Sequence, residues 1–363
     1  MVLNHLEIFW KFNMKISIGT NIKEGPWGGG NLFAINLAKK LRSNGNEVFF
    51  NLDEKDLDLI LITEPRKTSE SSAFTSEDVK KYMSFINPDS IVVHRINECD
   101  ERKQTDYVNK YLIYANKVAD ATIFVSNWLK NLYIEQNLNN KNINVILAGA
   151  DKKIFNTSGY KKWNGQDKLK IVTHHWGANW NKGFDTYTLL DNLLDKKEYN
   201  QKFEFTYIGN LPKDFNFKNT KVIPPLSGES LAAQIKTSHV YLTGSLNEPS
   251  GNHHIEAAQC GLPLLYINSG GIPEYCDGFG LIFETDTFID SLEKMYKEFN
   301  TYESQMKDYP YDSDVMCDEY ISLFENLIED KDKILQNRDE KIYYSGYVQK
   351  YAYLLKRKLL KAE

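Results

Sequence analysis

Two glutamates, Glu248 and Glu256, are separated by seven residues in a segment whose residue types suit a nucleoside diphosphate and a sugar. Glu248 follows an apolar run of strand length, and Ser250, Gly251 and Asn252 then open a segment of helical length that carries Glu256. Small residues at a helix N-terminus present backbone N–H groups and the positive end of the helix dipole, which favours phosphate. A carboxylate can accept two hydrogen bonds from a diol such as ribose. The residue types and their place at a helix start therefore predict a diphosphate site, with Glu256 on the ribose and Glu248 on sugar hydroxyls.

The same segment resembles the signature of a known enzyme family. Glu248 and Glu256, followed by G-G-I-P-E at 270–274, form the E-x7-E pattern of family 4 glycosyltransferases, which have the GT-B fold. The resemblance implies a retaining, metal-independent glycosyltransferase that moves a sugar from a nucleotide-diphosphate sugar to a saccharide or lipid-linked acceptor. In this interpretation Glu248 holds the sugar ring as a catalytic residue and Glu256 binds the donor ribose. The alternative is a capped surface helix with solvated glutamates.

A lysine in a second loop is the candidate cation for the donor phosphates. In the loop 174–187, Lys182 and the glycine after it match the family's K-G pair, which implies a catalytic contact between Lys182 and the departing diphosphate. The arginine that the family carries five or six residues earlier is absent, since Trp176 and Gly177 occupy those positions. Because fixed cations lower the barrier to departure of a diphosphate, Lys182 must act alone, with helix dipoles or with another basic group. Trp176 and Asn179 are further candidates for contacts, and a solvent-facing Lys182 is the alternative.

The first half of the chain supplies candidates for the opposite side of a cleft. Gly28, Gly29 and Gly30 follow the first predicted strand, and the resemblance implies that they face the donor, because glycine lets backbone approach a phosphate or sugar. A plain tight turn is the alternative. His94 and Arg95 come near the end of a later predicted strand. The resemblance implies that His94 lines the sugar side as a catalytic residue, with Arg95 near phosphate or acceptor, whereas a structural His–Arg pair is the alternative.

Two pairs of adjacent histidines, His174-His175 and His253-His254, raise the question of a metal site. Adjacent side chains point to opposite faces of a strand and diverge by about 100° on a helix, so neither pair is placed to chelate one ion. Asp312–Asp314 form a D-x-D motif, but they follow the last predicted strand in a predicted loop. We therefore expect no metal and no other cofactor, and His253 is kept as a candidate for donor contact.

The pattern of apolar residues supplies the elements that would hold these groups. Strand-length apolar runs alternate with amphipathic segments of helical length, six runs in each half of the chain. The predicted strands are 15–20, 47–52, 57–63, 90–96, 121–126, 144–149, 170–175, 203–209, 220–225, 240–245, 263–267 and 280–284. Continuous β-branched runs separated by helices indicate parallel sheets covered on both faces, whose ligands lie at the carboxyl ends of the strands. The predicted fold class is α/β and GT-B-like: two Rossmann-like, doubly wound parallel-sheet domains that face a central cleft.

The length of 363 residues favours two domains over one. We predict an N-terminal Rossmann-like domain on the acceptor side at 1–160, with an appended leader at 1–13. The nucleotide-sugar-binding domain is predicted at 161–315, after a polar, glycine-containing linker at 155–168. Residues 316–363 are predicted to be helices that pack back on the N-terminal domain.

Composition and charge narrow the partners and the compartment. With 42% hydrophobic and 26% charged residues the chain is globular, and its net charge of -5 argues against nucleic acid as a partner. Four scattered cysteines fit a reducing compartment, no apolar run approaches the ~18 residues of a membrane span, and no signal peptide is evident. We therefore expect a cytoplasmic protein. The Tyr-rich, basic end at 341–363 either packs on the body or makes a weak peripheral contact with an anionic membrane.

Other functions fit the same outline less well. A dehydrogenase with two nucleotide-binding sheets would carry G-x-G-x-x-G after a strand, and that motif is missing. A periplasmic-type sugar-binding protein also has two α/β lobes, but it would normally carry an export signal. The alternative that stays open is a non-catalytic nucleotide-sugar-binding or sugar-binding protein of the same fold, given the missing arginine.

Overall fold

The computed structural model describes residues 13–23, 28–339 and 343–360. The predicted leader lies outside these ranges except for its last residue. Within them, the chain forms two lobes, each built on a six-stranded sheet flanked by helices.

The N-terminal lobe contains a parallel sheet with the strand order β2-β1-β3-β4-β5-β6. Its strands are β1 (Lys15–Ile18), β2 (Glu47–Phe49), β3 (Leu59–Ile62), β4 (Ile91–Ile96), β5 (Ala121–Phe124) and β6 (Ile143–Val145). Its helices are α1 (Gly29–Ser43), α2 (Ser76–Phe85), α3 (Asp100–Lys103), α4 (Val108–Asn116) and α5 (Asn127–Glu135). Every residue of β3 and β4 is buried, which explains why β3 and the first three residues of β4 are apolar on both faces instead of alternating.

The C-terminal lobe contains a second parallel sheet with the order β12-β11-β10-β7-β8-β9. Its strands are β7 (Leu169–His175), β8 (Phe203–Gly209), β9 (Lys221–Ile223), β10 (Val240–Thr243), β11 (Leu264–Ile267) and β12 (Gly280–Phe283). Its helices are α6 (Phe184–Leu193), α7 (Lys197–Lys202), α8 (Gly228–Ile235), α9 (Asn252–Gln259), α10 (Ile272–Cys276), α11 (Phe288–Lys297) and α12 (Phe299–Gln305), with short 3-10 turns at Trp180–Lys182 and Met306–Asp308. A buried aromatic cluster that includes Phe184, Tyr187 and Tyr207 fills the core beside β7 and β8.

Each sheet has one point at which the strand order reverses, and ligands of open α/β sheets bind in the crevice there. In the N-terminal sheet this point lies between β1 and β3, and the glycine-rich start of α1 follows β1. In the C-terminal sheet it lies between β7 and β10, which are followed by the Trp180–Lys182 turn and by α9. The sequence therefore brings its glycine turn, Lys182 and both glutamates to the switch points of the two sheets.

The chain ends on helices that leave the second lobe: α13 (Ser313–Glu329), α14 (Lys331–Gln336) and α15 (Tyr347–Leu360). One face of α13, including Tyr320 and Phe324, packs with α1 in the core of the N-terminal lobe. Helix α15 lies along α2, where Tyr353 contacts Phe85 with ring centroids 5.6 Å apart. No helix in the described ranges is long and apolar enough to cross a bilayer.

The chain passes between the lobes twice, and the two passages run side by side. Ala150 forms a parallel bridge with Asp312, and the N–H of Ser313 donates to the carbonyl of Ala150 at 2.8 Å. Gly149 permits this approach, because a Cβ atom there would lie 2.1 Å from the carbonyl oxygen of Asp312. The domain boundaries predicted at 160 and 315 stay predictions beside these two passages.

The predicted fold class is confirmed: the chain is an α/β protein with two parallel, Rossmann-like sheets in a GT-B-like arrangement. Each of the predicted strands corresponds to one of β1–β12.

Candidate functional site

Glu248 lies in the loop after β10 and is 5% exposed. Its backbone is held by the glycine pair that precedes α10: the N–H of Gly271 donates to the carbonyl of Glu248 at 2.9 Å. Gly270 has φ +64°, and a Cβ atom there would lie 2.5 Å from that carbonyl oxygen. The G-G-I-P-E segment thus fixes the backbone of the Glu248 loop, and only glycine fits at position 270.

Lys182 lies against Glu248, with its Nζ 2.5 Å from Glu248 Oε2. The turn that carries Lys182 is fixed to the loop after β10, since Ser245 Oγ donates to the Lys182 carbonyl at 3.2 Å. Gly183 allows the two loops to meet: its φ is +104°, and a Cβ atom there would lie 2.7 Å from the backbone of Gly244. The family-like K-G pair is therefore explained by one side chain that pairs with Glu248 and one glycine that packs against the next loop.

Arg102, at the end of α3 in the opposite lobe, completes this group. Its Nε lies 3.0 Å from Glu248 Oε1, so one carboxylate is paired with a cation from each lobe. A second carboxylate holds the same guanidinium, because Arg102 Nη1 donates to both oxygens of Glu98 at 3.0 and 2.9 Å. No motif in the sequence marks Arg102. The available signal was its position in the polar segment after β4, where the carboxyl end of a parallel strand supplies ligand contacts.

The electrostatics of these three charges follow from their burial and their mutual distances. Burial raises the pKa of the Glu248 carboxyl, but Arg102 and Lys182 outweigh burial and hold that pKa well below its usual range. Glu248 raises the pKa of the Arg102 guanidinium. Burial lowers the pKa of the Lys182 ammonium, and Glu248 opposes that effect. Glu248 is consequently an anion between two cations inside the closed cleft.

Glu256 projects from α9 and is 7% exposed. Its Oε2 lies 2.9 Å from Nε2 of His174, near the end of β7, and Nδ1 of His174 lies 3.2 Å from the hydroxyl of Tyr241. The Tyr241–His174–Glu256 chain fixes the carboxylate in one orientation. The N-terminus of α9 begins at Asn252 after Gly251, and no side chain caps it.

A layer of buried imidazoles lies beneath this helix start. Nε2 of His253 is 3.0 Å from Oγ1 of Thr243, and Nε2 of His175 is 2.7 Å from the hydroxyl of Tyr187. Burial lowers the pKa of His175 and His253 well below 6.5 and that of His254 to about 3. These imidazoles are neutral at pH 7, so the layer adds hydrogen bonds but no charge. Among the described residues, no group of three or more His, Cys, Asp or Glu side chains is arranged to hold a metal ion.

The glycine-rich turn of the first lobe faces this helix across the cleft. A Cβ atom on Gly29 would lie 2.9 Å from the side-chain amide atoms of Asn252, whereas one on Gly28 or Gly30 would meet nothing within 4 Å. Gly29 thus faces Asn252 at the start of α9 with no room for a side chain.

His94 and Arg95 do not lie at the cleft, and the prediction that they face it is corrected. His94 has no exposed surface, and its Nδ1 is 3.2 Å from the amide nitrogen of Asn116. Arg95 is 5% exposed; its Nε is 3.2 Å from the Tyr320 hydroxyl, and its guanidinium stacks 4.0 Å from the Phe33 ring centroid. Strand β4 continues to Ile96, so both side chains still belong to the interior of the lobe.

The remaining candidates, Trp176, Asn179 and Ser250, are more exposed than Glu248 and Glu256. Trp176 is 54% exposed, and its carbonyl accepts from the side chain of Asn210 at 2.8 Å. Asn179 is exposed and precedes the Trp180–Lys182 turn. Ser250 is half-buried in the loop before α9. The Asp312–Asp314 motif caps a helix: Asp312 Oδ1 accepts from the N–H groups of Asp314 and Val315, at the start of α13.

The lobes also meet through the last residue of the G-G-I-P-E run. Both oxygens of Glu274 accept hydrogen bonds from the start of α5 in the other lobe, from the N–H of Asn127 at 2.7 Å and from that of Trp128 at 2.7 Å. Ser126 is the N-cap of α5, since its Oγ accepts from the N–H of Leu129. A carboxylate at a helix N-terminus is electrostatically favourable, so Glu274 ties the two lobes together beside Glu248.

Two Rossmann-like sheets, with residues of both lobes meeting in an acidic and basic cluster between them, define a protein with the GT-B-like architecture. The comparisons with known proteins agree. Residues 197–308 match the family model described as "Glycosyl transferases group 1". That segment contains Glu248 and Glu256 but not Lys182.

Two curated relatives resemble about half of the chain. The GPI3 subunit of phosphatidylinositol N-acetylglucosaminyltransferase from Saccharomyces cerevisiae is 28% identical over 203 residues, covering 51% of this chain and 44% of the relative. D-inositol 3-phosphate glycosyltransferase from Paenarthrobacter aurescens is 26% identical over 212 residues, covering 53% of this chain and 50% of the relative. The chain therefore spans about half the length of the curated relatives it matches.

Solved structures resemble the chain along most of its length. HepE from Anabaena, solved with UDP-glucose, aligns with a TM-score of 0.64 at 13% identity, covering 86% of this chain and 100% of that one. A glycosyltransferase from Rickettsia africae aligns with a TM-score of 0.63 at 13% identity, covering 90% and 100%. At these identities the likeness concerns the fold.

Proposed function

We propose that the protein is a retaining glycosyltransferase of family 4 that moves a sugar from a nucleotide-diphosphate sugar to a saccharide or lipid-linked acceptor, without a metal ion. The observation that carries the proposal is the arrangement around α9: Glu256 lies on the helix, Glu248 precedes it, and Lys182 lies 2.5 Å from Glu248. The match to the group 1 glycosyltransferase model and the names of the two relatives support the reaction type.

The proposed donor lies across the start of α9. Glu256, oriented by His174, accepts hydrogen bonds from the ribose hydroxyls. The uncapped N–H groups at Gly251 and Asn252 take the diphosphate, helped by the helix dipole. Glu248 binds sugar hydroxyls, and Lys182 neutralises charge on the leaving phosphate. UDP-sugars are the first donors to test, because the neighbour HepE was solved with UDP-glucose.

The proposed chemistry needs positioning and charge stabilisation more than it needs a nucleophile. Positive charge develops on the sugar and negative charge on the diphosphate as the glycosidic bond breaks. Exclusion of water by the closed lobes protects the activated sugar from hydrolysis. Attack by the acceptor on the face that the diphosphate leaves retains the anomeric configuration.

The acceptor proposal follows from the relatives. Both are named for inositol-containing acceptors, a phosphatidylinositol and an inositol 3-phosphate. An inositol lipid and an inositol phosphate are accordingly the first acceptors to test, before saccharides. The protein is proposed to work in the cytoplasm, with peripheral membrane contact through α15.

Helix α15 has the properties that such a contact requires. Tyr347, Val348 and Tyr351 are 88%, 83% and 80% exposed, and Leu355 is 59% exposed. The basic residues of this helix are Lys350, Lys356, Arg357 and Lys358. Exposed apolar side chains beside lysines and arginines favour the surface of an anionic bilayer.

Binding and transfer assays test the proposal. One of UDP, GDP and ADP should raise the melting temperature of the wild-type protein, since a ligand at about 100 times its Kd adds about 2.7 kcal/mol to the free energy of unfolding. Glu256→Gln should remove that shift, because a neutral amide cannot accept two hydrogen bonds from the ribose diol as a carboxylate does. Glu293→Gln is the matched control: Glu293 pairs with Lys202 on α7, away from the cleft, and this variant should keep the shift.

The corresponding nucleotide-sugar should then yield a glycosylated acceptor whose anomeric configuration, measured by proton NMR, matches that of the donor. Binding without transfer to any acceptor or to water would favour the non-catalytic sugar-nucleotide-binding protein. A protein whose melting temperature responds to no nucleoside diphosphate would contradict the proposal altogether.

A further inference from the structure

The donor loop of the second lobe has one cation where the resemblance implies two. Lys182 pairs with Glu248, but Trp176 and Gly177 occupy the positions of the expected arginine and carry no charge. A leaving diphosphate with two negative charges is stabilised best by more than one fixed cation. A second cation would have to come from another basic side chain, within the described ranges, that reaches Glu248.

We propose that Arg102 of the first lobe supplies the second cation to the sugar-linked phosphate of the donor, across the cleft from Lys182. The inference rests on the proposed function and names a further residue of the same site. It assigns to the first lobe a charge that the sequence pattern places in the second.

The geometry favours a shared anion. Arg102 Nε is 3.0 Å from one oxygen of Glu248, and Lys182 Nζ is 2.5 Å from the other. The two cations therefore converge on oxygens bonded to a single carbon. A phosphate group presents pairs of oxygens in a similar way, and a guanidinium binds carboxylate and phosphate with the same fork of N–H donors.

Burial separates Arg102 from ordinary surface arginines. The side chains of Arg102, Lys182 and Glu248 are 21%, 12% and 7% exposed. Taking two cations and one carboxylate out of water costs several kcal/mol per ion before pairing, which a loose surface contact would not offset. Arg102, Lys182 and Glu248 together carry a net charge of about +1. Glu98, which also pairs with Arg102, brings the sum of the four side chains to about zero. A phosphate that enters here meets a preorganised pair of cations.

The position of Arg102 depends on closure of the lobes. Asp100, on the same short helix, accepts from the N–H groups of Val108 and Asn109 at 2.8 and 3.0 Å, which fixes α3 to the start of α4. On the other side, Gln104 Nε2 donates to Asn181 Oδ1 of the second lobe at 3.2 Å. Arg102 is thus held rigidly in its own lobe and reaches Lys182 only when the lobes meet. The second cation would arrive together with the exclusion of water.

Phosphate number is the variable that tests this inference. Glu256 and the start of α9 hold the nucleoside end, whereas Arg102 lies beside Glu248 at the sugar end. Loss of Arg102 should therefore weaken the binding of a nucleoside diphosphate much more than the binding of the matching monophosphate. With UDP as the example, Arg102→Gln should raise the Kd for UDP about tenfold or more, as expected for a lost charge-assisted hydrogen bond, and the Kd for UMP less than about threefold.

The matched control is the next residue in the chain. Lys103 also pairs with Glu98, at 3.0 Å, but it is 41% exposed and does not contact Glu248. Lys103→Gln should change the Kd of neither UDP nor UMP by more than about twofold. Arg102→Lys keeps the positive charge but loses the paired N–H donors of the guanidinium. Its ratio of the UMP Kd to the UDP Kd should therefore lie between the ratios of the wild type and of Arg102→Gln. This variant replaces Arg102→Gln in the experiment if Arg102→Gln does not fold.

Isothermal titration calorimetry with UDP, GDP and ADP and their monophosphates reads out the result. An unchanged UDP-to-UMP ratio in Arg102→Gln, with wild-type binding intact, would overturn the role of Arg102 alone. Tighter binding of UDP by Arg102→Gln would also overturn it, because Arg102 would then be a latch that competes for Glu248. Failure of the wild-type protein to bind any of the three diphosphates would instead overturn the proposed function, and this inference with it.

Discussion

At the scale of single residues, the site combines charges that were visible in the sequence with one that was not. Glu248 and Glu256 were found because their spacing and the glycines around them are local features of one strand–loop–helix unit. Arg102 was missed because its contact with Glu248 joins residues far apart in the chain and in different lobes, and no local pattern encodes such a pairing. His94 was misplaced although the predicted strand ended at the correct residue, Ile96. Its partner Asn116 lies 22 residues further along the chain, and no local pattern shows that a histidine near a strand end is buried against such a partner.

The buried position of His94 makes a pH-dependent stability measurable. Burial lowers the pKa of His94 from 6.5 to about 3. Between these values the unfolded chain binds a proton that the folded chain excludes, so the free energy of unfolding falls as the pH falls. Each such imidazole contributes a slope of at most about 1.4 kcal/mol per pH unit. His94→Gln should reduce the slope of stability against pH between pH 6 and 4 by up to that amount.

Urea denaturation at a series of pH values measures this slope. Thr122→Ser is the control, because Thr122 belongs to the same buried cluster, with its Oγ1 2.9 Å from the amide nitrogen of Asn116, yet does not titrate. Equal slopes for His94→Gln and the wild type would show that His94 is protonated in the folded protein, in conflict with its burial.

At the scale of elements, the sequence predicted the sheets well and the terminal helices only in outline. The strands were recognisable because a parallel sheet covered on both faces favours continuous apolar runs, as in β3. Helix α15 was ambiguous, since Tyr-rich basic segments suit both packing and membrane contact. The structure gives it both kinds of surface: Tyr353 packs on Phe85, and Val348 is 83% exposed.

The membrane proposal for α15 is tested by adding the same charge at two adjacent positions. Val348→Asp removes an exposed apolar side chain and should weaken binding to vesicles that contain phosphatidylglycerol by about tenfold, through lost apolar burial and repulsion. Gln349→Asp adds the same charge to a residue that was already polar, and it should weaken binding less. Flotation with phosphatidylglycerol-containing and neutral phosphatidylcholine vesicles measures both. Equal binding of Val348→Asp and the wild type would contradict membrane contact through this helix.

At the scale of the whole molecule, function depends on how closely the lobes approach. Gly29 and Asn252 meet across the cleft, and Glu274 caps α5 from the other lobe. These contacts accompany the Arg102–Glu248 pair between the lobes, so closure would assemble the proposed phosphate and sugar ends of the site together.

A single methyl group at the contact between Gly29 and Asn252 should disturb this closure. In Gly29→Ala, the new Cβ atom would lie 2.9 Å from the amide atoms of Asn252, so either that side chain moves or the lobes stay further apart. We expect kcat for sugar transfer to fall about tenfold or more, because incomplete closure misplaces Arg102 and admits water.

Gly30→Ala is the matched control, because a Cβ atom at position 30 would have no atom within 4 Å. Both glycines lie in α1, so both substitutions raise helix propensity equally, and Gly30→Ala should have the smaller effect on kcat. Steady-state kinetics with small-angle X-ray scattering, with and without the nucleotide, would measure both variants. Equal kinetics for Gly29→Ala and Gly30→Ala would show that catalysis does not depend on the contact between Gly29 and Asn252.

The return of α13 to the first lobe has a consequence for how the protein is made. The buried face of α13, which includes Tyr320 and Phe324, completes a core whose other buried residues come from the first half of the chain, including those of α1. A ribosome releases these residues only after the entire second lobe has been synthesised. The apolar face of the first lobe that packs against α13 therefore stays uncovered during translation. The second lobe, although later in the chain, is the first that can finish folding.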